Sequence, residues 1–144
     1  MSFVKVWIHC VWSTKRRVPL ITDSNKWDII NHIKENAKSK DIYLDFINGD
    51  KDHLHCLISL NKDQPLSKTI QLIKGESSFW INRNRLSKAK FEWADECFAV
   101  SISESQLEKV RNYIKHQEVH HKKKTWREEC EEFMEKYSFD KIKG

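Results

Sequence analysis

The chain has 144 residues, 39% of them hydrophobic, and 26 Lys and Arg against 21 Asp and Glu give a formal charge of +5. That length suits one domain, 1–144, around a single core, and an apolar fraction of this size with only two prolines and three glycines excludes an intrinsically disordered chain. The modest basic excess favours an anionic partner without demanding one; no apolar run is long enough to span a bilayer and Lys5 and His9 interrupt any signal-peptide core, so the expected location is cytoplasmic, with no membrane partner.

Residues 3–13, FVKVWIHCVWS, alternate so that Val4, Val6, Ile8, Cys10 and Trp12 share one face, which predicts a strand. The basic loop TKRRVPLIT follows, and Thr22 or Asp23 can cap a helix over about 24–39, in which Trp27, Ile30, Ile33 and Ala37 recur at helical spacing. A second strand is predicted over 41–48, with Ile42, Leu44 and Phe46 on one face. Asn48-Gly49-Asp50 reads as a turn, and HLHCLISLN after it as a third strand, which makes a hairpin. Pro65 suits the first turn of a helix running to about 83, with Leu66, Ile70 and Ile73 as its apolar stripe and Gly75 as a weak point. FEWADECFAVSIS reads as the fourth strand. Ser105-x-x-Glu108 is a capping-box pattern before a helix over about 106–121 whose Leu107, Val110 and Ile114 face the core. Thr125-x-x-Glu128 repeats the signal before a last helix, about 125–137, with Trp126, Cys130, Phe133, Met134 and Tyr137 on its apolar side. The order β-α-β-β-α-β followed by two helices is that of an α+β, ferredoxin-like sandwich with an antiparallel sheet and helices on one face.

The four cysteines, Cys10, Cys56, Cys97 and Cys130, are far apart and form no Cys-x-x-Cys pair, which excludes a zinc knuckle; Cys10 and Cys56 read as small buried hydrophobes.

Two short segments carry chemistry. In HLHCLISL, strand alternation puts Leu54, Cys56, Ile58 and Leu60 on one apolar face and His53 and His55 together on the other. Two imidazoles so placed can share one ion; a pair of histidines on a solvated sheet face fits the same pattern. In RNYIKHQEVHH, Tyr113 and Gln117 stand four residues apart and so meet on one helix face, beside the apolar stripe. If that helix packs on the histidine strand, Gln117 completes a three-ligand site with Tyr113 in reach of a bound phosphate; otherwise Tyr113 is an aromatic at the rim of the core. The residue types suit phosphodiester chemistry. A divalent ion polarises the phosphate for in-line attack, and a tyrosine ester conserves the bond energy, so a second strand's hydroxyl can reverse the step. Two histidines and a glutamine are neutral ligands that leave the ion's charge available. Imidazole suits Mn2+ better than Mg2+, whereas cellular abundance favours Mg2+.

With these segments in order, the chain resembles the single-tyrosine HUH transposases of bacterial insertion sequences, the insertion-sequence two-hundred (IS200-like) group. The resemblance runs from Phe3 to about His121 through VWSTKRRVPLIT, GDKDHLHCLISL, IKGESSFWIN, FEWADECFAVSISES and VRNYIKHQEVHH. It implies a metal-dependent enzyme that nicks and rejoins single-stranded DNA, with His53, His55 and Gln117 holding Mg2+ or Mn2+ and Tyr113 attacking the phosphate to form a 5′-phosphotyrosine link. It also implies a homodimer, in which one subunit's tyrosine helix sometimes serves the other's site, and hairpin-ended single strands as partners. ADECFAV departs from the glycines common in the family there, which bears on a turn or dimer edge and not on the catalytic set.

Basic residues that can meet phosphates are Lys15, Arg16 and Arg17 in the first loop, Lys74, Arg83, Arg85, Lys88 and Lys90 in and after the second helix, and Lys115 and Lys122 to Lys124 around the tyrosine helix. Trp7, Trp12, Trp80 and Trp93 are candidates either for base stacking or for the core. Two other readings stay open on sequence: a catalytically silent nucleic-acid-binding module on the same sheet, and a replication-initiator-type nickase. The first has no need of Tyr113 beside a metal triad, and the second usually carries additional domains.

Overall fold

Strand alternation and helical periodicity translate into a four-stranded sheet with helices on both sides. The computed structural model describes residues 3–117 together with Glu128 and Glu132. In chain order the elements are β1 (Trp7–Ser13), α1 (Lys26–Ser39), β2 (Tyr43–Asp50), β3 (His53–Ser59), α2 (Leu66–Arg83), β4 (Phe98–Ile102) and α3 (Leu107–Lys115). The sheet order is β2-β3-β1-β4 and every neighbouring pair is antiparallel. This is the expected α+β, ferredoxin-like arrangement.

The two sheet faces bury different things. Ile8, Cys10 and Trp12 of β1 and Leu54, Cys56 and Ile58 of β3 pack with Ile29, Ile30 and Ile33 of α1 and Ile73 and Ile81 of α2. Each such aliphatic side chain contributes about 1.5–3 kcal/mol on burial. The other face holds a smaller apolar cluster: Trp7, Leu57 and Ile102 from the strands against Leu107, Val110 and Ile114 of α3. The expectation of helices on one face therefore applies to α1 and α2; α3 crosses to the opposite face and lies on β2 and β3 of its own chain.

Several local expectations are corrected. Trp27 is 55% exposed, because the buried stripe of α1 runs through Lys26, Ile29, Ile30, Ile33 and Ala37. The helix begins at Lys26, and the turn before it is held by Thr22, whose Oγ1 accepts from Asn25 N–H (3.3 Å), whose carbonyl accepts from Lys26 N–H (2.9 Å) and whose N–H donates to Asn25 Oδ1 (2.7 Å); Asp23 makes no cap. Ser105 makes no cap either: its hydroxyl lies 3.1 Å from that of Ser103, and a 3-10 turn over Glu104–Gln106 leads into α3. Pro65 stands just before α2 rather than within its first turn. β1 begins only at Trp7, leaving Val4 and Val6 exposed. The fourth strand shrinks to Phe98–Ile102; before it Phe91 is tied to Asn82 by paired hydrogen bonds (2.7 and 2.9 Å), and Trp93 donates to Ser77 Oγ (2.9 Å). Of the last helix, about 125–137, only Glu128 and Glu132 are described, both helical and exposed; the rest lies outside the described residues.

Two corrections in β2 matter for the site. A bulge between Leu44 and Phe46 inserts Asp45 as an extra residue, so Leu44 faces α1 and α2 while Phe46 turns to the α3 cluster. Asn48, Gly49 and Asp50 remain in the strand, paired with His55, Leu54 and His53, and the turn is Lys51 and Asp52. Gly49 is needed there for close approach: a Cβ would stand 2.1 Å from the His53 carbonyl oxygen and 2.7 Å from Leu54 Cδ2.

Candidate active site and metal centre

The α3 face of the sheet collects buried polar side chains. His53 and His55 are 0% and 1% exposed, with ring centroids 5.3 Å apart. Their shared face follows from the alternation in β3, and the hairpin with β2 adds Asn48 beside His55 on that face.

α3 brings the second segment onto the first. Tyr113 stands with its ring edge-on to His55, centroids 5.5 Å apart. The helix ends at Lys115 and turns at His116, where the expected helix runs on without a break; Gln117 resumes helical geometry and residues beyond it lie outside the described part. The amide Nε2 of Gln117 donates to the Tyr113 carbonyl (3.0 Å), which orients Oε1 toward His53 Nε2, 3.5 Å away. Gln117 is fully buried. The predicted nucleophile and all three predicted ligands thus meet, within one chain.

Two clamps hold α3 in this position, one on each side of Tyr113. Arg111 reaches the carboxylate of Asp45, the bulge residue, through Nε (2.7 Å) and Nη2 (3.1 Å), and also donates to Glu108. Two residues beyond Tyr113, the Lys115 carbonyl accepts a hydrogen bond from Asn48 Nδ2 (3.0 Å).

The donor set fits a divalent cation. Asp52 Oδ1 lies 2.8 Å from His53 Nδ1 and as a carboxylate can only accept, so Nδ1 carries a proton and, in the neutral form of the ring that can bind a metal, the lone pair is on Nε2. That lone pair and the Gln117 carbonyl oxygen are two acceptors facing each other. Ligands each about 2.1 Å from one ion stand about 3.0–3.4 Å apart at right or tetrahedral angles, close to the 3.5 Å seen. The buried Asn48 Oδ1 is a further acceptor with no hydrogen-bond donor among the described residues. Among the described residues no three His, Cys, Asp or Glu side chains converge as a metal site, so the set depends on the Gln117 amide.

Sequence reasoning missed His9. It lies on the α3 face of β1, 1% exposed, with Nε2 3.0 Å from His55 Nδ1 and its ring 6.1 Å from that of Tyr113. The alternation of β1 assigns His9 to the face opposite Cys10; joining it to His55 requires the β1–β3 register.

The basic candidates separate. Lys15, Arg16 and Arg17 form an exposed turn directly after β1, and Thr14 ties that turn to the Asp52 carbonyl through N–H (2.7 Å) and Oγ1 (3.3 Å), next to His53. Arg16 and Arg17 are both left-handed, φ 58 and 56, a conformation that costs non-glycine residues energy, and both are exposed. Lys15 pairs with Glu92 at 3.1 Å. Lys115 is exposed on α3. Lys74 lies on α2, across the sheet from Tyr113, and donates to the carbonyls of Ala94 and Glu96; partial burial lowers its pKa. Lys122 is outside the described residues. Trp7, Trp12 and Trp93 are buried, and Trp80 is stacked on His32, centroids 3.9 Å apart.

The four-stranded antiparallel sheet with its helices is a fold shared with known proteins. A Deinococcus radiodurans protein assigned to the transposases has the same fold, with TM-score 0.65 at 18% identity over 81% of this chain and 93% of that one. A REP-associated tyrosine transposase, solved bound to a REP hairpin, gives TM-score 0.61 at 18% identity over 84% of this chain and 72% of that one. No curated protein sequence matches significantly. Residues 2–117 match the sequence family described as Transposase IS200 like, and the chain belongs to that family. No helix among the described residues is long and apolar enough to cross a membrane.

Proposed function

We propose that this transposase nicks and rejoins single-stranded DNA through a covalent tyrosine link, with Tyr113 as nucleophile and His53, His55 and Gln117 as ligands of one Mg2+ or Mn2+. The observation that carries the reading is the convergence of two segments distant in sequence: Gln117 stands 3.5 Å from His53 and the Tyr113 ring 5.5 Å from that of His55, all on one buried face. A silent binding module has no use for this arrangement.

Tyr113 Oη attacks the scissile phosphorus and loses its proton. The bond to the 3′ oxygen breaks, that oxygen gains a proton, and the 5′ phosphate remains esterified to Tyr113. Attack on this ester by the 3′ hydroxyl of another strand restores the phenol and completes the transfer. Bound at the site, a divalent ion supplies Lewis-acid polarisation of the phosphate. The clamps on α3 hold Tyr113 over the histidines, and the Asp52 carboxylate orients His53. Lys15, Arg16, Arg17 and Lys115 guide the sugar-phosphate chain, a contact that weakens as salt rises. Hairpin-ended single strands are the proposed partner and a homodimer the working form, by family likeness; the relative solved on a REP hairpin supports the hairpin.

The test is covalent capture. Incubated with Mn2+ or Mg2+ and hairpin-bearing single strands, the wild type is expected to form a protein–DNA adduct, and Tyr113→Phe to form none while still binding DNA. EDTA is expected to abolish the adduct. A normal adduct from Tyr113→Phe would remove the nucleophile assignment, and equal cleavage in EDTA would remove the metal role.

A further inference from the structure

The histidines of the proposed metal site have outer partners of different kinds. His53 is held by a carboxylate, which has only one way to bond to a ring nitrogen. His55 is held by His9, a second imidazole, and a pair of neutral imidazoles can share its single bridging proton in two ways.

Only one of the two ways permits ligation. If His9 donates to His55 Nδ1, the His55 proton sits on Nε2 and that ring has no lone pair left for an ion. If His55 donates from Nδ1 to His9 Nε2, its Nε2 keeps a lone pair. The fold gives the contact little freedom to change. β1 and β3 pair with Val11 opposite His55 and His9 opposite Leu57, so His9 is the diagonal neighbour of His55 on the same face. Both rings are 1% exposed and their centroids are 5.2 Å apart.

We infer that His9 is a positioning residue: His9 Nε2 accepts the Nδ1–H of His55 and so fixes His55 in the tautomer that offers Nε2 to the divalent ion. The inference rests on the metal-site reading above. Its physical content is that a neutral acceptor orients His55 without adding charge, whereas Asp52 adds a negative charge behind His53. One ligand is thereby made more basic than the other, and the ion keeps more of its charge for phosphate than it would behind two carboxylates.

The experiment uses the full chain, Mn2+ as the probe in titration calorimetry, and long-range proton–nitrogen NMR correlations of the His55 ring in metal-free protein. In the wild type His55 is expected to be protonated at Nδ1. His9→Leu is expected to lose that preference and bind Mn2+ about 10- to 100-fold more weakly, the usual cost of losing an outer partner. His9→Gln, whose side-chain oxygen can replace the acceptor, is expected to keep both the tautomer and most of the affinity. A merely structural role would not restore the tautomer with Gln, nor move it with Leu while thermal stability holds. If His9→Leu fails to fold, the wild-type tautomer and His9→Gln decide the matter: an Nε2-protonated His55 in the wild type overturns the inference. Wild-type binding of Mn2+ with equal binding by folded His9→Leu overturns the inference alone. A wild type that binds no Mn2+ overturns the site reading, and the inference with it.

Discussion

Leu54 and His55 are adjacent in the chain and equally buried, yet they belong to different molecules in all but covalent terms. Leu54 points into a broad aliphatic layer shared with α1 and α2, where any side chain of similar shape and volume serves. His55 points into a small polar pocket under α3, where its Nδ1 meets His9 Nε2 and its ring meets the ring of Tyr113. One face of the sheet makes the fold stable and the other makes it specific. The difference shows how a chain of this size supports a buried polar site: the penalty for enclosing three imidazoles and two amides on one side is offset by close apolar packing on the other.

The largest test of that division pairs these neighbours. Leu54→Ala is expected to cost about 2–5 kcal/mol of stability, read by thermal or urea unfolding, with adduct formation per folded molecule preserved. His55→Ala is expected to do the reverse, losing metal-dependent adduct with a smaller change in melting temperature. Equal loss of activity from both would dissolve the distinction. A smaller effect is expected at the clamp. Asp45→Ala releases a partly exposed ion pair and should cost no more than about 1 kcal/mol. It should nevertheless lower adduct yield several-fold at unchanged DNA affinity, because Arg111 no longer steadies the tyrosine helix. The least effect is expected from Cys97. The Cys10 thiol hydrogen-bonded to it and, secondarily, the Lys74 ammonium lower its pKa against the effect of burial, while Cys10 and Cys56 are pushed well up. Thiolate increases with pH, so iodoacetamide near neutral pH should label Cys97 before Cys10 and Cys56, read by peptide mass mapping. Because Cys97 packs with the α1 and α2 layer, the label should leave adduct formation intact. Loss of the adduct on labelling would mean the two faces are coupled.

The parts of the site legible in the sequence are those set by short-range periodicity. The two-residue alternation of β3 puts His53 and His55 together, and four-residue spacing puts Gln117 near Tyr113, even though the helix turns at His116 between them. What pairing across the chain decides was not legible. His9 meets His55 only through a β1–β3 register spanning 46 residues. The side of the sheet taken by α3 depends on tertiary packing, because Leu107, Val110 and Ile114 fit any apolar surface. Asn48-Gly49-Asp50 has turn composition but is held in the strand by its pairing with β3, and its glycine answers to a neighbouring carbonyl rather than to a turn. For the fold, element order and type were readable; the ends of β1 and β4 and the helix caps were not, since local hydrogen bonds and loop packing fix them.

The bulge at Asp45 behaves as a phase shift in β2. Before it the residues that look toward α1 and α2 are Ile42 and Leu44; after it the count changes parity, and Ile47 looks that way while Asn48 looks toward the site. Pairing the strand residue for residue, with Asp45 kept but the bulge lost, would turn over its second half, sending Asn48 into the aliphatic layer and detaching the Lys115 carbonyl it holds. Deleting Asp45 would leave that phase intact and remove only the carboxylate that holds Arg111, whereas one further residue paired into the strand would reverse it, so the bulge is the place where β2 absorbs a residue without disturbing the site.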